Sequence, residues 1–425
     1  MRPWNISFGV NKVYAIITAG GKGTRVASIN QSVPKPLLPV AGKPVLQHQI
    51  ECLKRQGFAR VTLTIGHLGE KIREYFGDGS RFGIKIDYIQ EDTPLGTAGA
   101  LYYIKNRVDD DFFLINGDLI FDVDLSRMLA FHKARHGAAT LLVHPNDHPD
   151  DSSLVIADGE GQVRVWLSKE DPRGWVQNRV NAGIHLLSPR ALNGIARPQK
   201  LDLDRDILKP LISSGEVYAY RSPEYVKDMG TPDRIAQVER DLQSGLVGAK
   251  NLRNPQCAVF LDRDGTINKY VGFLTRPEEM ELIDGAAEAI RQINQSGCLA
   301  IVVTNQPVIA RGDVTWERLG EIHRKMETLL GRAGAYLDDI FICPHHPDRG
   351  FPGEIPAYKI SCGCRKPKPG LLLQAAKQYN IDLSKSWMIG DSQQDMEAGR
   401  CAGCQTILVS EHFPLKDAVK NIGSG

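Results

Sequence analysis

The sequence contains no block of five or six like charges, and Lys+Arg 52 against Asp+Glu 50 leaves a formal net charge of +2. That balance excludes the basic stripe of a nucleic-acid binder and the acidic tail of a charge-driven partner, so any phosphate held by this chain is held locally. No apolar run approaches the ~18 residues of a membrane-spanning helix, which argues against a membrane partner. With 42% hydrophobic and 24% charged residues, the composition is that of a soluble globular chain. The start, MRPWNISFGVNKVYAIITAGG, carries a short apolar stretch straight into glycines. It reads as a first strand and not as a secretory signal, so a cytoplasmic location is expected. Eight cysteines in 425 residues are too sparse for a disulfide framework. Three of them crowd between Cys343 and Cys364, and in a reducing compartment such clustering points to a metal.

What is present is a rhythm. At roughly 150 residues per domain the length predicts two to three domains. From Val13, β-branched runs alternate with amphipathic stretches: VYAIITA, Pro44 to Gln56, VTLTI, Thr97 to Arg107, FFLIN and Leu125 to Arg135. This is the βαβ pattern of a largely parallel sheet covered by helices. Between about Ser152 and Arg221 it gives way to shorter pieces such as VRVWL, GIHLL and VYAYR, expected to form a partly antiparallel region of the same domain. A helix is predicted over Pro232 to Ser244. The alternation restarts with AVFLD, Ala286 to Gln295, LAIVVTN, Thr315 to Ala333, Gly370 to Tyr379, WMIGD and TILVS. The expected division is therefore a domain over 1–245, a linker over 246–255 and a second α/β domain over 256–425.

The first strand ends in Ala19-Gly20-Gly21-Lys22-Gly23-Thr24-Arg25, followed by Pro34-Lys35-Pro36-Leu37. Glycines between strand and helix let backbone N–H groups approach a phosphate, and Lys22, Arg25 and Lys35 add positive charge at the same point. The spacing is neither a Walker A loop nor the dinucleotide fingerprint. The string resembles the sugar-1-phosphate nucleotidylyltransferases, with their AGGxGTR loop and PKP segment. That resemblance extends to Gln90 and Leu95-Gly96-Thr97-Ala98-Gly99, which match the base-reading and sugar-proximal segment. It also takes in Asn116-Gly117-Asp118, Asn181-Ala182-Gly183 and Lys227-Asp228-Met229-Gly230-Thr231-Pro232. It implies that Lys22 and Arg25 hold a nucleoside triphosphate, that Asp118 and Asp228 hold Mg²⁺, and that Gly20, Gly21, Gly23, Thr24, Lys35, Gln90, Gly96, Thr97, Asn116, Gly117, Asn181 and Gly183 contact substrate. Where the family has a Glu-Lys-Pro segment, this chain has Ser168-Lys169-Glu170-Asp171-Pro172, which makes Lys169 the candidate contact to the sugar phosphate.

In the second half, Asp262-Arg263-Asp264-Gly265-Thr266 follows an apolar strand, and Thr304-Asn305-Gln306, Arg365-Lys366-Pro367 and Gly390-Asp391-Ser392 come after it in order. Segments at strand ends can converge on one site. The order resembles the four motifs of haloacid-dehalogenase-like phosphatases. It implies Asp262 as nucleophile, Asp264 as general acid and base, and Thr304 and Lys366 as phosphoryl-oxygen ligands. Asn305, Gln306 and Arg365 would contact substrate, and Mg²⁺ would be held by Asp262, Asp264 through its backbone carbonyl, and Asp391. Asp395 is expected to orient neighbours. Between these motifs Cys343, His345, Cys362 and Cys364 match a closed structural zinc site, with His346 competing for the place of His345. Cys401 and Cys404 are expected as buried, unliganded thiols. The expected fold class is thus α/β with two Rossmann-like domains: an N-terminal nucleotidyltransferase-type mixed sheet and a C-terminal haloacid-dehalogenase-like parallel sheet with a zinc loop.

DRDGTIN, TNQ-x-x-x-ARG, CPHHP and CRKPKPG look closer to heptose bisphosphate phosphatases than to histidinol-phosphate phosphatases. Pro307, Val308 and Ser392 depart from the usual residues without touching the nucleophile or metal set. The two halves together resemble bifunctional heptose 1,7-bisphosphate 7-phosphatase/heptose 1-phosphate guanylyltransferases, which implies small phosphorylated substrates and a GDP-heptose product. A histidinol-phosphate-type phosphatase beside another hexose-1-phosphate nucleotidylyltransferase, or a nucleotide-sensing N-terminal domain without catalysis, are the alternatives. The oligomeric state stays open, a homo-oligomer included.

Overall fold

The run Tyr14–Thr18 (YAIIT) forms a strand whose successive residues feed opposite cores: Ile16 packs into one apolar cluster and Ile17 into the other. Phe112 and Phe113 divide in the same way. A central parallel strand covered on both faces has no polar side, which is why these runs are continuously apolar. Each fully buried Ile or Phe contributes about 2 kcal/mol. The computed structural model describes residues 13–20 and 33–422. The chain folds as two units, one holding the residues up to Val143 with Val155–Trp166 and Asn181–Asn251, the other holding His144–Leu154, Leu167–Val180 and the residues from Leu252 onward.

In the first unit the sheet has nine strands among the described residues. Phe112–Asn116, Tyr14–Thr18, Arg60–Ile65 and Lys85–Gln90 run parallel in that order, and Val180–Leu187 closes on Phe112–Asn116 antiparallel. The mixed sheet expected from the sequence is thereby present. Helices Val45–Arg55 and Leu125–Arg135 match the predicted amphipathic stretches. A separate two-stranded ladder pairs Leu119–Asp122 with Tyr225–Asp228.

The second unit is built on five parallel strands, in spatial order Asp339–Cys343, Leu299–Asn305, Ala258–Leu261, Trp387–Gly390, Gln405–Leu408. Val259 and Leu261 face one core, Ala258 and Phe260 the other. All-parallel order requires crossovers, and helices Ala286–Ser296, Trp316–Arg332, Gly370–Tyr379 and Gln393–Ala402 supply them.

Four expectations are corrected. Thr97–Arg107 is not a helix; only Gly99–Tyr103 winds into a 3-10 turn. Leu201 takes the backbone instead, its carbonyl accepting from the Ala98 N–H at 3.0 Å, and a Cβ at Gly99 would collide with the Gln199 carbonyl. The stretch 1–245 does not fold as one body, because the excursions 144–154 and 167–180 belong to the second unit. There the Val176 N–H donates to Thr328 Oγ1 at 2.9 Å, and the Pro149–Asp151 turn packs on helix Trp316–Arg332. The expected linker contains a helix, Leu246–Ala249. Finally, Cys257 and Cys298 form a disulfide where none was expected.

A local pH effect follows from Asp204. Burial, then the charge of Asp202, raises its pKa to about 6. A carboxyl titrating higher in the folded than in the unfolded state stabilises the fold at low pH, and that contribution is lost as pH rises from about 4 through 6. Asp204→Asn is therefore expected to be more stable than wild type by about 1–2 kcal/mol at pH 7.5, with the gap closing near pH 4. Urea melts at the two pH values check this; an equal gap at both would reject it.

Candidate functional site

Parallel strands present their carboxyl ends at one edge of a sheet, where ligands bind. In the first unit that edge gathers Gly20, Gln90, Asn116 and Gly117. The Ala19 N–H donates to the Thr64 carbonyl at 2.9 Å and the Gly117 N–H to the Thr18 carbonyl at 3.0 Å. Gly183 lies against the Asn116 side chain, and Asn181 Oδ1 accepts from the Gly183 N–H at 3.3 Å. Lys22, Arg25, Gly21, Gly23 and Thr24 lie outside the described residues.

The two aspartates expected to share a metal meet across the small ladder. Asp228 stands opposite Leu119, and the Met229 N–H donates to the Asp118 carbonyl at 2.8 Å. Each carboxylate already faces a cation: Lys35 Nζ is 2.5 Å from Asp118 Oδ2, and Arg234 Nη1 is 2.6 Å from Asp228 Oδ2. Carboxylate oxygens are the donors a hard divalent ion takes, so the chemistry of both residues suits Mg²⁺. Sequence reasoning missed Arg234, although it lies in the first turn of helix Pro232–Gln243, directly after the Asp-x-Gly-Thr-Pro signal. It also missed Glu91, whose Oε2 accepts from the Leu95 N–H at 3.1 Å; burial raises its pKa.

Three expected substrate contacts have partners within the protein. Thr97 Oγ1 accepts from the Leu203 N–H at 2.7 Å and Gly96 bridges to Leu201, which ties that segment to its neighbour loop. Lys169 sits on the 167–180 excursion of the second unit, where it pairs with Asp151 at 2.9 Å.

The second unit assembles its motifs at the ends of three adjacent strands. Asp262 follows Ala258–Leu261, Thr304 and Asn305 end Leu299–Asn305, and Asp391 follows Trp387–Gly390. Gly265, at φ +84°, allows the turn to pass beside Asp391, whose carboxylate any Cβ there would strike. Lys366, with a side chain 3% exposed, reaches Asp262 Oδ1 at 2.6 Å and Asp395 Oδ1 at 2.5 Å. Burial drives the Asp262 pKa up to about 6, with Lys366 pulling against it and Asp395 adding to it. For Lys366 burial pulls down, but the two carboxylates prevail and raise its pKa.

Asn305 fixes the Lys366 backbone from both sides, donating to its carbonyl and accepting from its N–H, each at 3.1 Å. Gln306 Nε2 donates to Asp264 Oδ2 at 2.9 Å and Thr304 Oγ1 at 2.8 Å. These side chains, expected to touch substrate, hold other site residues in place. Arg365 Nη1 donates to the His345 carbonyl at 3.2 Å.

Carboxylates of Asp262, Asp391 and Asp395 converge, with oxygens within 4.8 Å of one another. Three carboxylates beside one lysine fit Mg²⁺. Asp395, expected only to orient, belongs to this cluster; its Oδ2 also accepts from Ser392 Oγ at 2.5 Å and caps helix Gln393–Ala402. The Asp264 side chain turns away onto Arg263. Burial opposes its ionisation, yet the Arg263 charge and hydrogen bonds from Arg263, Asn268 and Gln306 hold its pKa below the ordinary range.

Cys343, His345, Cys362 and Cys364 form the second candidate metal group. Their donor atoms stand 3.2 to 3.7 Å apart. A zinc tetrahedron with Zn–S near 2.3 Å has edges of about 3.5–3.8 Å, so the residues fit Zn²⁺. His345, not His346, completes the group. Cys404 is buried as expected, whereas Cys401 is exposed at the helix end. Cys343 ends the strand beside Asn305, and Cys364 directly precedes Arg365 and Lys366, so this cluster anchors the segment carrying the site lysine.

Comparison with known proteins finds two family matches. Residues 14–245 match the nucleotidyl transferase family model, and residues 363–420 match an HAD-hydrolase-like model. The chain is 31% identical over 247 residues to a mannose-1-phosphate guanylyltransferase of Mycobacterium tuberculosis, covering 57% of this chain and 68% of that protein. It is 37% identical over 227 residues to a probable mannose-1-phosphate guanylyltransferase 2 of Arabidopsis thaliana, with 51% and 62% covered. Similarity extends to a UTP–glucose-1-phosphate uridylyltransferase of Synechocystis, at 32% identity, 47% of this chain and 55% of that one. The chain thus spans between about half and two thirds of these curated relatives. Among solved structures, HddC from Yersinia pseudotuberculosis aligns with a TM-score of 0.48 and 23% identity, over 54% of this chain and 99% of that one. A D,D-heptose 1,7-bisphosphate phosphatase from B. bronchiseptica aligns with a TM-score of 0.34 and 31% identity, over 39% and 97%. Matched over more than half its length, this chain belongs to the nucleotidyl transferase family, and residues 363–420 of its second unit match an HAD-hydrolase-like model.

Proposed function

We propose that the protein carries out two steps of sugar-nucleotide synthesis: removal of the 7-phosphate of D-glycero-D-manno-heptose 1,7-bisphosphate, and guanylyl transfer from GTP to the resulting heptose 1-phosphate. The observation that carries this reading is the presence in one chain of two motif sets whose chemistries connect, since a phosphatase that leaves a sugar 1-phosphate supplies the substrate a nucleotidylyltransferase consumes. The guanine assignment is supported by the guanylyltransferase relatives. The heptose assignment is supported by the strings DRDGTIN, CPHHP and CRKPKPG.

In the first step an Asp262 carboxylate oxygen attacks the 7-phosphorus, and the bond from phosphorus to the sugar oxygen breaks. Asp264, ionised in the free protein, would take up a proton from solvent once the phosphate is bound and give it to that oxygen. Water then attacks the aspartyl-phosphate, Asp264 takes its proton, and orthophosphate leaves with Asp262 regenerated. Lys366 and Thr304 would hold the phosphoryl oxygens. Asp262, Asp391 and Asp395 would hold Mg²⁺, which would supply charge that offsets the repulsion between carboxylate and phosphate.

In the second unit's partner reaction an oxygen of the sugar 1-phosphate attacks the α-phosphorus of GTP, and pyrophosphate leaves. Asp118 and Asp228 would hold the Mg²⁺ that this step needs, with Lys35 and Arg234 released from them to face the phosphates. Incubation with heptose 1,7-bisphosphate, GTP and Mg²⁺ should yield orthophosphate and GDP-heptose; neither product would refute the proposal. An NTP panel with one sugar phosphate reports the base.

Zn²⁺ held by Cys343, His345, Cys362 and Cys364 would tie the site together. Stripping it with a chelator, or Cys362→Ser, is expected to lower the melting temperature of the second unit by about 5–10 °C, as loss of a few kcal/mol would. Phosphate release should fall at least about tenfold, because Lys366 loses its anchor. Calorimetry and both assays decide: an unchanged melt would argue against a structural metal.

A further inference from the structure

Arg263 stands between the two aspartates of the Asp-x-Asp motif, yet its side chain is 0% exposed. A guanidinium so buried costs several kcal/mol unless its donors are filled, and here they are filled by two partners only. Nη2 donates to Asp264 Oδ1 and Oδ2 at 2.9 and 2.7 Å, and Nε to Oδ1 at 3.2 Å. On the far edge Nη1 lies 3.1 Å from His323 Nε2. Arginine has no acceptor, so that ring nitrogen accepts and His323 is neutral. Its burial, with the Arg263 charge beside it, agrees, lowering its pKa to about 3.

The bidentate fork sets the plane of the Asp264 carboxylate. Asn268 Nδ2, 3.0 Å from Oδ1, and Gln306 Nε2, 2.9 Å from Oδ2, occupy one further position on each oxygen. Asn268 and Gln306 belong to the site loops, but His323 lies on helix Trp316–Arg332, which contributes nothing else to the site described above. Among the described residues its side chain holds Arg263.

We infer that His323 and Arg263 are positioning residues: neutral His323 fixes Arg263, which holds the Asp264 carboxylate in the orientation required to take a proton from the water that hydrolyses the aspartyl-phosphate. This rests on the phosphatase reading proposed above. The consequence is specific. Loss of the relay should slow hydrolysis of the phosphoenzyme and spare its formation whenever the leaving group needs no proton.

4-Nitrophenyl phosphate provides such a leaving group, with acetyl phosphate as the probe if wild type turns that over faster. The full-length His323→Leu variant is expected to show a burst of about one leaving group per active site at a rate within about threefold of wild type. A steady state about 10–100-fold slower should follow, the scale of one general-base contribution. His323→Gln, whose Oε1 can accept from Arg263, should restore most of the steady state and abolish the burst. Burst and steady-state rates that fall together, an unchanged leucine variant, or a glutamine variant no better than leucine would overturn the inference. If the leucine variant does not fold, Arg263→Lys, which keeps the charge but cannot span both partners, is read in the same way. The phosphatase reading fails separately: wild type would release no phosphate from either probe or from the sugar bisphosphate, or Asp262→Asn would retain the activity.

Discussion

Asp262→Asn should abolish phosphate release, by at least about 10³-fold, while leaving nucleotidyl transfer to pre-made sugar 1-phosphate within twofold of wild type. The size of the loss follows from what the residue touches. Asp262 has a side chain 13% exposed, sits 2.6 Å from Lys366 and shares a cluster with Asp391 and Asp395, so no neighbouring group can take over the attack on phosphorus without leaving its own partners. Asparagine keeps the shape and can still accept from Lys366 through its amide oxygen, so folding should be retained. A stopped assay for orthophosphate checks the first half and one for pyrophosphate the second. Loss of both activities would mean that the two sites do not act independently.

The mirror experiment is Asp228→Asn, expected to cut pyrophosphate release by about 10²–10⁴-fold with phosphate release from the bisphosphate unchanged. Asp228 is half exposed, and its carboxylate meets Arg234 on a helix that begins four residues later. Removing its charge takes away one of the two candidate carboxylates and breaks the Arg234–Asp228 ion pair. Raising Mg²⁺ should recover part of the loss if the aspartate acts through metal affinity. Activity within twofold of wild type at ordinary Mg²⁺ would remove Asp228 from the site.

Much of this was legible before the structure. The helices Val45–Arg55, Leu125–Arg135, Pro232–Gln243 and Gly370–Tyr379 follow their apolar spacing to within a residue or two. Such helices bury one face locally, and periodicity records that directly. Thr97–Arg107 misled because its pattern is helical while its backbone is claimed by Leu201, a hundred residues away in sequence. The excursions 144–154 and 167–180 were equally hidden. Pro- and Gly-rich segments carry no periodicity, and nothing in their sequence states which core will receive them.

Sites divide along the same line. Asp262, Asp391, Lys366 and the Cys343 to Cys364 cluster were readable because each motif ends a strand, and parallel order brings strand ends together. Arg263 was in plain view inside the motif, but a residue between two turns normally points to solvent. His323 had no signal at all, since a histidine on the apolar face of a helix reads as core.

The sequence by itself determined the two α/β units, the residue types able to hold phosphate, Mg²⁺ and Zn²⁺, and their order along the chain, because strand alternation and turn chemistry are local. Only the tertiary structure decided how those residues are used. It bonded Asn305 and Gln306 to other site residues, added Asp395 to the carboxylate cluster, chose His345 over His346, placed Lys169 in the second unit and buried a guanidinium beside Asp264. Each of these depends on distances between segments far apart in the chain, and burial there changes the strength of every charge and hydrogen bond involved.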